Sequence, residues 1–118
     1  MPVKRGDIVL LPVPDTSGKR GKVRPALVVS SDHNNQCLQD AIVAVITGTT
    51  HRAKLEARQL LIELGTPEGT QSGLLSDSAI KCERLHAILQ TLIQRTVGSL
   101  SAATLQKIDG CLKAALGL

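Results

Sequence analysis

The segment Val23-Arg24-Pro25-Ala26-Leu27-Val28-Val29-Ser30 sets one guanidinium at the mouth of an apolar strand. Ala26 to Val29 is a short aliphatic run of the kind found in strands covered on both faces. Pro25 keeps the chain extended and disfavours helix at Arg24. A cation fixed between a glycine-containing basic loop and a rigid strand is well placed to meet a phosphate. The surrounding charge supports that chemistry. Residues 4–24 hold six cationic side chains against two carboxylates, which accounts for the whole net charge of +4. Across residues 25–118, eight basic and eight acidic groups cancel. The basic excess around Lys19, Arg20, Lys22 and Arg24 therefore points to a polyanionic partner, a nucleic acid or an acidic protein segment.

The elements that must hold this arginine are short. Ile8 to Pro12 reads as a first strand, opened by the turn Lys4-Arg5-Gly6-Asp7 and stopped by prolines. Asp15 to Lys22 reads as a mobile surface loop, and the second strand covers about Ala26 to Ser31. Asp32 to Asp40 is polar and turn-rich. A third, almost wholly apolar strand follows at Ala41 to Thr47, and Gln59 to Glu63 can form a fourth. Gly65 to Gly73 reads as a loop without the Gly-Lys-Ser/Thr of a phosphate-binding loop. Ser78 to Ile88 alternates as a fifth strand. Gln90 to Ile93 fits a short helical turn, and Gln94 to Ser99 a last strand. Ser101 can cap a helix to about Leu116, with Leu105, Ile108, Leu112 and Leu116 as its apolar stripe and Gly117 as its stop. This order predicts a mainly β fold: one domain over residues 1–118, built as a small barrel of five to six short strands with a C-terminal amphipathic helix packed on it.

Composition narrows the function. With 118 residues and 42% hydrophobic side chains, the chain suits one globular core. It has no Phe, Tyr or Trp. Any nucleic-acid site therefore lacks aromatic stacking platforms and must rest on phosphate contacts and hydrogen bonds. No apolar run is long enough to span a membrane, and the N-terminus lacks the apolar core of a signal peptide. The three cysteines, Cys37, Cys82 and Cys111, are odd in number and widely spaced, so a reducing cytoplasm is expected rather than a disulfide framework. His33 and Cys37 stand four apart, but their segment reads as a loop and no second pair follows, so no metal is expected.

Four pieces of the chain together resemble a known family. They are Lys4-Arg5-Gly6-Asp7-Ile8-Val9; Val23-Arg24-Pro25-Ala26-Leu27-Val28-Val29-Ser30; Ala41-Ile42-Val43-Ala44-Val45-Ile46-Thr47; and Val97-Gly98-Ser99-Leu100-Ser101 followed by Ile108-Asp109 and Ala115-Leu116-Gly117-Leu118. In this order they are similar to the MazF/PemK (Kid) toxins of type II toxin–antitoxin systems, over essentially the whole chain. The resemblance implies an SH3-like β-barrel and a homodimer. It also implies a sequence-preferring endoribonuclease that cuts single-stranded RNA without metal or cofactor and is neutralised by a cognate antitoxin.

The resemblance also assigns roles. Arg24 matches the strand-start arginine that acts on the scissile phosphate, and Thr47 the threonine that ends the third strand. Lys81-Cys82-Glu83 stands where the PemK branch carries Arg-Cys-Asp, a cation and a carboxylate for acid–base work. A spacing of two puts Lys81 and Glu83 on one strand face. Glu83 is then the general base, and Lys81 stabilises the phosphorane or acts as acid. Lysine in place of arginine gives up the bidentate fork. Lys19, Arg20 and Lys22 are expected to track the RNA backbone. His86, where many members have arginine, is a further RNA-contacting group and a substitute acid or base. Strand alternation, however, sets it on the face opposite Glu83. A CcdB-like gyrase poison, or a catalytically silent antitoxin-binding protein on the same fold, is the alternative reading.

Overall fold

The computed structural model describes residues 2–14 and 21–118. Strands β1 (Asp7–Pro12), β2 (Val23–Val28), β3 (Asp40–Thr47), β4 (Gln59–Ile62), β5 (Ser78–Leu89) and β6 (Arg95–Ser99) form one antiparallel sheet in the order β4-β5-β3-β2-β1-β6. The sheet curls into a half-barrel, and the C-terminal helix α3 (Ala102–Leu116) packs on its β4–β5 side. Two six-residue helices, α1 (Asp32–Cys37) and α2 (Pro67–Ser72), sit in the β2–β3 and β4–β5 connections.

Alternation along the central strands divides the core between the two sheet faces. Ile8, Leu27, Ala44, Ile46 and Ile80 point to one side, where Ile108 and Cys111 of α3 close over them. Val9, Leu11, Ala26, Val28 and Val43 fill the other side with Ile88. Burial of each such aliphatic side chain contributes about 1.5–3 kcal/mol, and no aromatic is needed to fill either layer. The α3 stripe is built from Leu105, Ile108 and Leu112, joined by the buried Thr104 and Cys111. Leu116, expected to complete it, is 56% exposed, because the last turn runs past the edge of the core.

Three further expectations are corrected. Asp32 to Cys37 is helical rather than a loop, because Ser31 caps it by accepting from the Asn34 amide. Thr66 does the same for α2 within the glycine-bearing segment 65–73, and Pro67 occupies the first helical turn. Strand β2 begins at Val23 and ends at Val28, three residues earlier at each end than Ala26 to Ser31. Arg24 thus lies within the strand. The segment Asp15 to Arg20, expected to be a mobile loop, lies outside the described residues apart from its continuation into Gly21 and Lys22.

Two ties hold the ends of the sheet. Arg5 Nε donates to the Val29 carbonyl at 3.0 Å, and its Nη2 reaches Asp109 of α3 at 2.5 Å. The Arg5 amide also donates to Asp32 of α1 at 2.7 Å. At the other end, Gly73 closes α2 with φ +72°, and a Cβ there would stand 2.0 Å from the Val97 carbonyl oxygen. Gly73 is fixed by both backbone sign and space.

Candidate active site

The site starts from a backbone defect. Strand β2 pairs with β3 at Ala26↔Val45, Leu27↔Ala44 and Val28↔Val43, and the ladder goes no further. Pro25 has no N–H to continue it. The same register carried two residues on would set Arg24 opposite Thr47. The two strands part there, and both side chains line the cleft that opens between them. Arg24 is exposed and Thr47 half-buried. Thr47 Oγ1 accepts from the Thr49 amide at 3.2 Å, which leaves its hydroxyl hydrogen free to donate outward.

The far wall comes from β5. There the pairing with β3 jumps from Val45↔Lys81 to Ala44↔Leu85, so Cys82, Glu83 and Arg84 form a bulge facing no β3 residue. A bulge resets the phase of the strand beyond it. Lys81, Glu83, Arg84 and His86 consequently line one cleft of about 980 Å³ together with Lys22, Arg24 and Thr47. This corrects the expected position of His86: regular alternation would have turned it away from Glu83, and the bulge brings it back. Lys81 and Glu83 share the cleft as expected. Lys19 and Arg20 lie outside the described residues.

Glu83 is held by a residue that the sequence did not single out. Gln59, at the start of β4 and 7% exposed, donates from Nε2 to Glu83 Oε2 at 3.0 Å. Oε1 of the same carboxylate is shielded from solvent and has no partner. Gln59 gives no signal in the sequence, since a polar residue at a strand start is ordinarily solvated. Arg84 was missed as well, although it is a third charge directly after Lys81 and Glu83.

The electrostatics of the cleft are one-sided. Glu83 is the only carboxylate among the described residues lining it, against Lys22, Arg24, Lys81 and Arg84. Outside the cleft lining, Arg58 donates to Glu56 from Nε at 2.7 Å and from Nη2 at 2.8 Å. These contacts hold the Glu56 carboxyl down at about 2, the side-chain hydrogen bond from Arg58 being the main cause. Cys82, in the bulge, is buried against Cys111 of α3, and burial pushes its thiol up to about 12. That thiol is a packing group and not a nucleophile.

Among the described residues no three His, Cys, Asp or Glu side chains cluster as metal ligands. His33 and Cys37 share one face of α1, with Cys37 Sγ 3.7 Å from His33 Nε2, but they stand alone. His51 is exposed and does not line the cleft.

A forked cation facing a hydroxyl, further cations and one carboxylate suit a phosphodiester undergoing in-line displacement, and the class this defines is a phosphate-cutting one. Residues 4–116 match the family described as PemK-like, MazF-like toxin of type II toxin–antitoxin system, and the chain belongs to that family. It is 31% identical over 119 residues to Endoribonuclease EndoA of Bacillus subtilis (strain 168), covering all of this chain and 97% of that protein. The fold is similar to a mycobacterial endoribonuclease solved in complex with its cognate antitoxin, with a TM-score of 0.78 at 21% identity, covering 98% of this chain and 96% of the other. It is also similar to the Mycobacterium tuberculosis toxin MazF-mt6, with a TM-score of 0.75 at 21% identity, covering 95% and 97%. Among the described residues no helix is long and apolar enough to cross a membrane.

Proposed function

We propose that the chain is the toxin of a type II toxin–antitoxin pair, a single-domain endoribonuclease that cuts single-stranded RNA in the Arg24–Thr47 cleft without a metal. The observation that carries this reading is the parting of β2 from β3 at Pro25, which leaves Arg24 and Thr47 across one opening from Lys81 and Glu83. In the reaction the 2′-oxygen attacks the adjacent phosphorus and gives its proton to Glu83. The Arg24 fork, the Thr47 hydroxyl and the Lys81 ammonium carry the charge of the pentacoordinate phosphorane. The P–O5′ bond then breaks, and the departing oxygen takes a proton from His86. The products are a cyclic phosphate and a free 5′-hydroxyl.

Lys19, Arg20 and Lys22 extend the path of the RNA backbone away from the cut. The mycobacterial endoribonuclease solved with its cognate antitoxin suggests one partner, an antitoxin that covers the basic face in the cytoplasm, and the family resemblance suggests the other, a second copy of the chain. The test is cleavage of single-stranded RNA by the purified protein in excess EDTA. Cutting that Arg24→Ala abolishes supports the reading. Intact RNA with wild-type protein, or full activity in Arg24→Ala, overturns it.

A further inference from the structure

Glu83 lines the cleft, yet neither oxygen of its carboxylate stands ready for a substrate hydroxyl. Oε2 accepts from Gln59 Nε2 at 3.0 Å, and Gln59 is buried and lines no part of the cleft. Oε1 is shielded from solvent and has no partner. A place that excludes water also excludes a ribose hydroxyl. Lys22, Arg24, Lys81 and Arg84 line the same cleft, and Glu83 pairs with none of them. Its charge is felt on the core side instead. Burial is the main cause that pushes up the thiols of Cys82 and Cys111, and Glu83 adds to the rise in both. Donor and acceptor are held differently. Gln59 stands opposite Lys81 in the β4–β5 ladder, and its amide donates to the Glu56 carbonyl at 3.1 Å. Glu83 lies in the bulge, opposite no β3 residue. The donor is the fixed part, and the acceptor is the part that can turn.

We propose that Gln59 is a positioning residue that holds Glu83 in a resting orientation, which the carboxylate must leave to take the 2′ proton. The inference rests on the ribonuclease reading and concerns how its base becomes available. A general base works within about 2.6–3.2 Å of the group whose proton it takes. At rest Oε1 cannot be approached, and Oε2 is engaged by an amide. Two opposing effects keep the hold shallow. A hydrogen bond to a charged acceptor favours rest, an unpaired oxygen away from water opposes it, and the two are of similar size. The cleft supplies what the resting place lacks. Lys81 and Arg24 offer donors to the turned-out carboxylate, and bound RNA adds its 2′-hydroxyl. In the empty cleft the hold keeps the carboxylate off the Arg24 fork, which stays clear for phosphate. Gln59 itself meets no substrate, so its influence passes through Glu83.

The test compares cutting of a short single-stranded RNA by wild type, Gln59→Leu and Gln59→Asn. Asparagine keeps the amide but falls one methylene short of Glu83. Both variants are expected to raise kcat about three- to tenfold with KM unchanged, while lowering stability. In an E83Q background neither change should alter the remaining rate. A lower or unchanged kcat in the single variants overturns the proposal, because Gln59 then holds Glu83 in its working place or only packs. So does a rise that persists with E83Q. Should Gln59→Leu not fold, Gln59→Asn decides alone. If wild type cuts no RNA, the cleavage reading fails separately. The hold is then decided by the NMR signals of the Gln59 side-chain NH2 group. The probe is an oligoribonucleotide made uncleavable by 2′-amino groups, which still offer a donor. Signals that move toward those of Glu83→Ala as it is added support release, and signals that stay in place throughout the titration overturn it.

Discussion

Gln59 Nε2 donates to one oxygen of Glu83 at 3.0 Å, and the other oxygen of that carboxylate has no partner at all. The carboxylate is thus anchored at one end and, at the other, shielded from solvent with an unused acceptor. Removing the anchor leaves both oxygens unpaired in a partly buried place. Gln59→Leu is expected to lose about 1–3 kcal/mol of stability in urea unfolding. In an E83Q background the same change should cost less, because the charge it strands is gone. Equal losses in the two backgrounds would show that the contact contributes nothing specific.

Arg24 is exposed, so loss of its side chain should leave the fold intact. Arg24→Ala is expected to cut RNA about 10²–10³-fold more slowly, with an unchanged thermal midpoint. Arg24→Lys keeps the charge and gives up the fork, so it should recover only part of the rate. A lysine variant with wild-type kcat would show that charge alone suffices.

Glu56 is held at about 2 by Arg58, against an ordinary value of 4.5. A carboxyl whose folded value is depressed supports the fold above its unfolded value and loses that support as pH falls through about 2. Because both groups meet solvent, the effect on global stability is small, and the carboxyl itself is the better probe. Its carbon NMR resonance should titrate near 2 in wild type and near 4.5 in Arg58→Met. An unmoved midpoint in Arg58→Met would assign the depression to some other group.

The three thiols differ sharply. Cys37 is exposed, while Cys82 and Cys111 are buried and Cys82 is pushed up to about 12. Burial is the main cause, with the neighbouring Cys111 second. At pH 8 in native buffer a maleimide should label Cys37 alone, and in denaturant all three. Fast native labelling at Cys82 would mean that α3 lifts from the sheet.

Gly73 should not tolerate a side chain. Its left-handed backbone costs any other residue on the order of 1 kcal/mol, and the Val97 carbonyl blocks the space as well. Gly73→Ala is therefore expected to lower the thermal midpoint by several degrees or more. Gly110, whose added Cβ meets nothing within 4 Å, serves as the control: Gly110→Ala in the exposed middle of α3 should raise it. The opposite order would remove the close contact from the account.

The legible parts of the chain were those written in apolar side chains. Ala41 to Thr47 reads as a strand because nothing polar interrupts it, and α3 reads from its Ser101 cap and Gly117 stop. The helices α1 and α2 were hidden because six polar residues carry no apolar period, and only their caps, Ser31 and Thr66, betray them. Arg24 and Thr47 were reached through resemblance. That they meet across a gap follows from Pro25, whose missing donor could have been read in advance. His86 was misplaced because Cys82-Glu83-Arg84 contains no glycine or proline to announce a bulge. Gln59 was unreachable, because its value lies wholly in a partner 24 residues away.

The bulge has one more consequence. It separates β5 into two clamped halves, one from Ala79 to Lys81 and one from Leu85 to Leu89, each with its own pairing to β3. The three residues between them pair with no β3 residue, although Cys82 keeps its place in the core and its amide donates to the Arg58 carbonyl at 3.0 Å. Substitutions at Glu83 and Arg84 would change the cleft while Cys82 keeps its place in the core and both halves of β5 keep their pairing. Two of the bulge's side chains are thereby given over to the cleft, while the third holds the strand to the core.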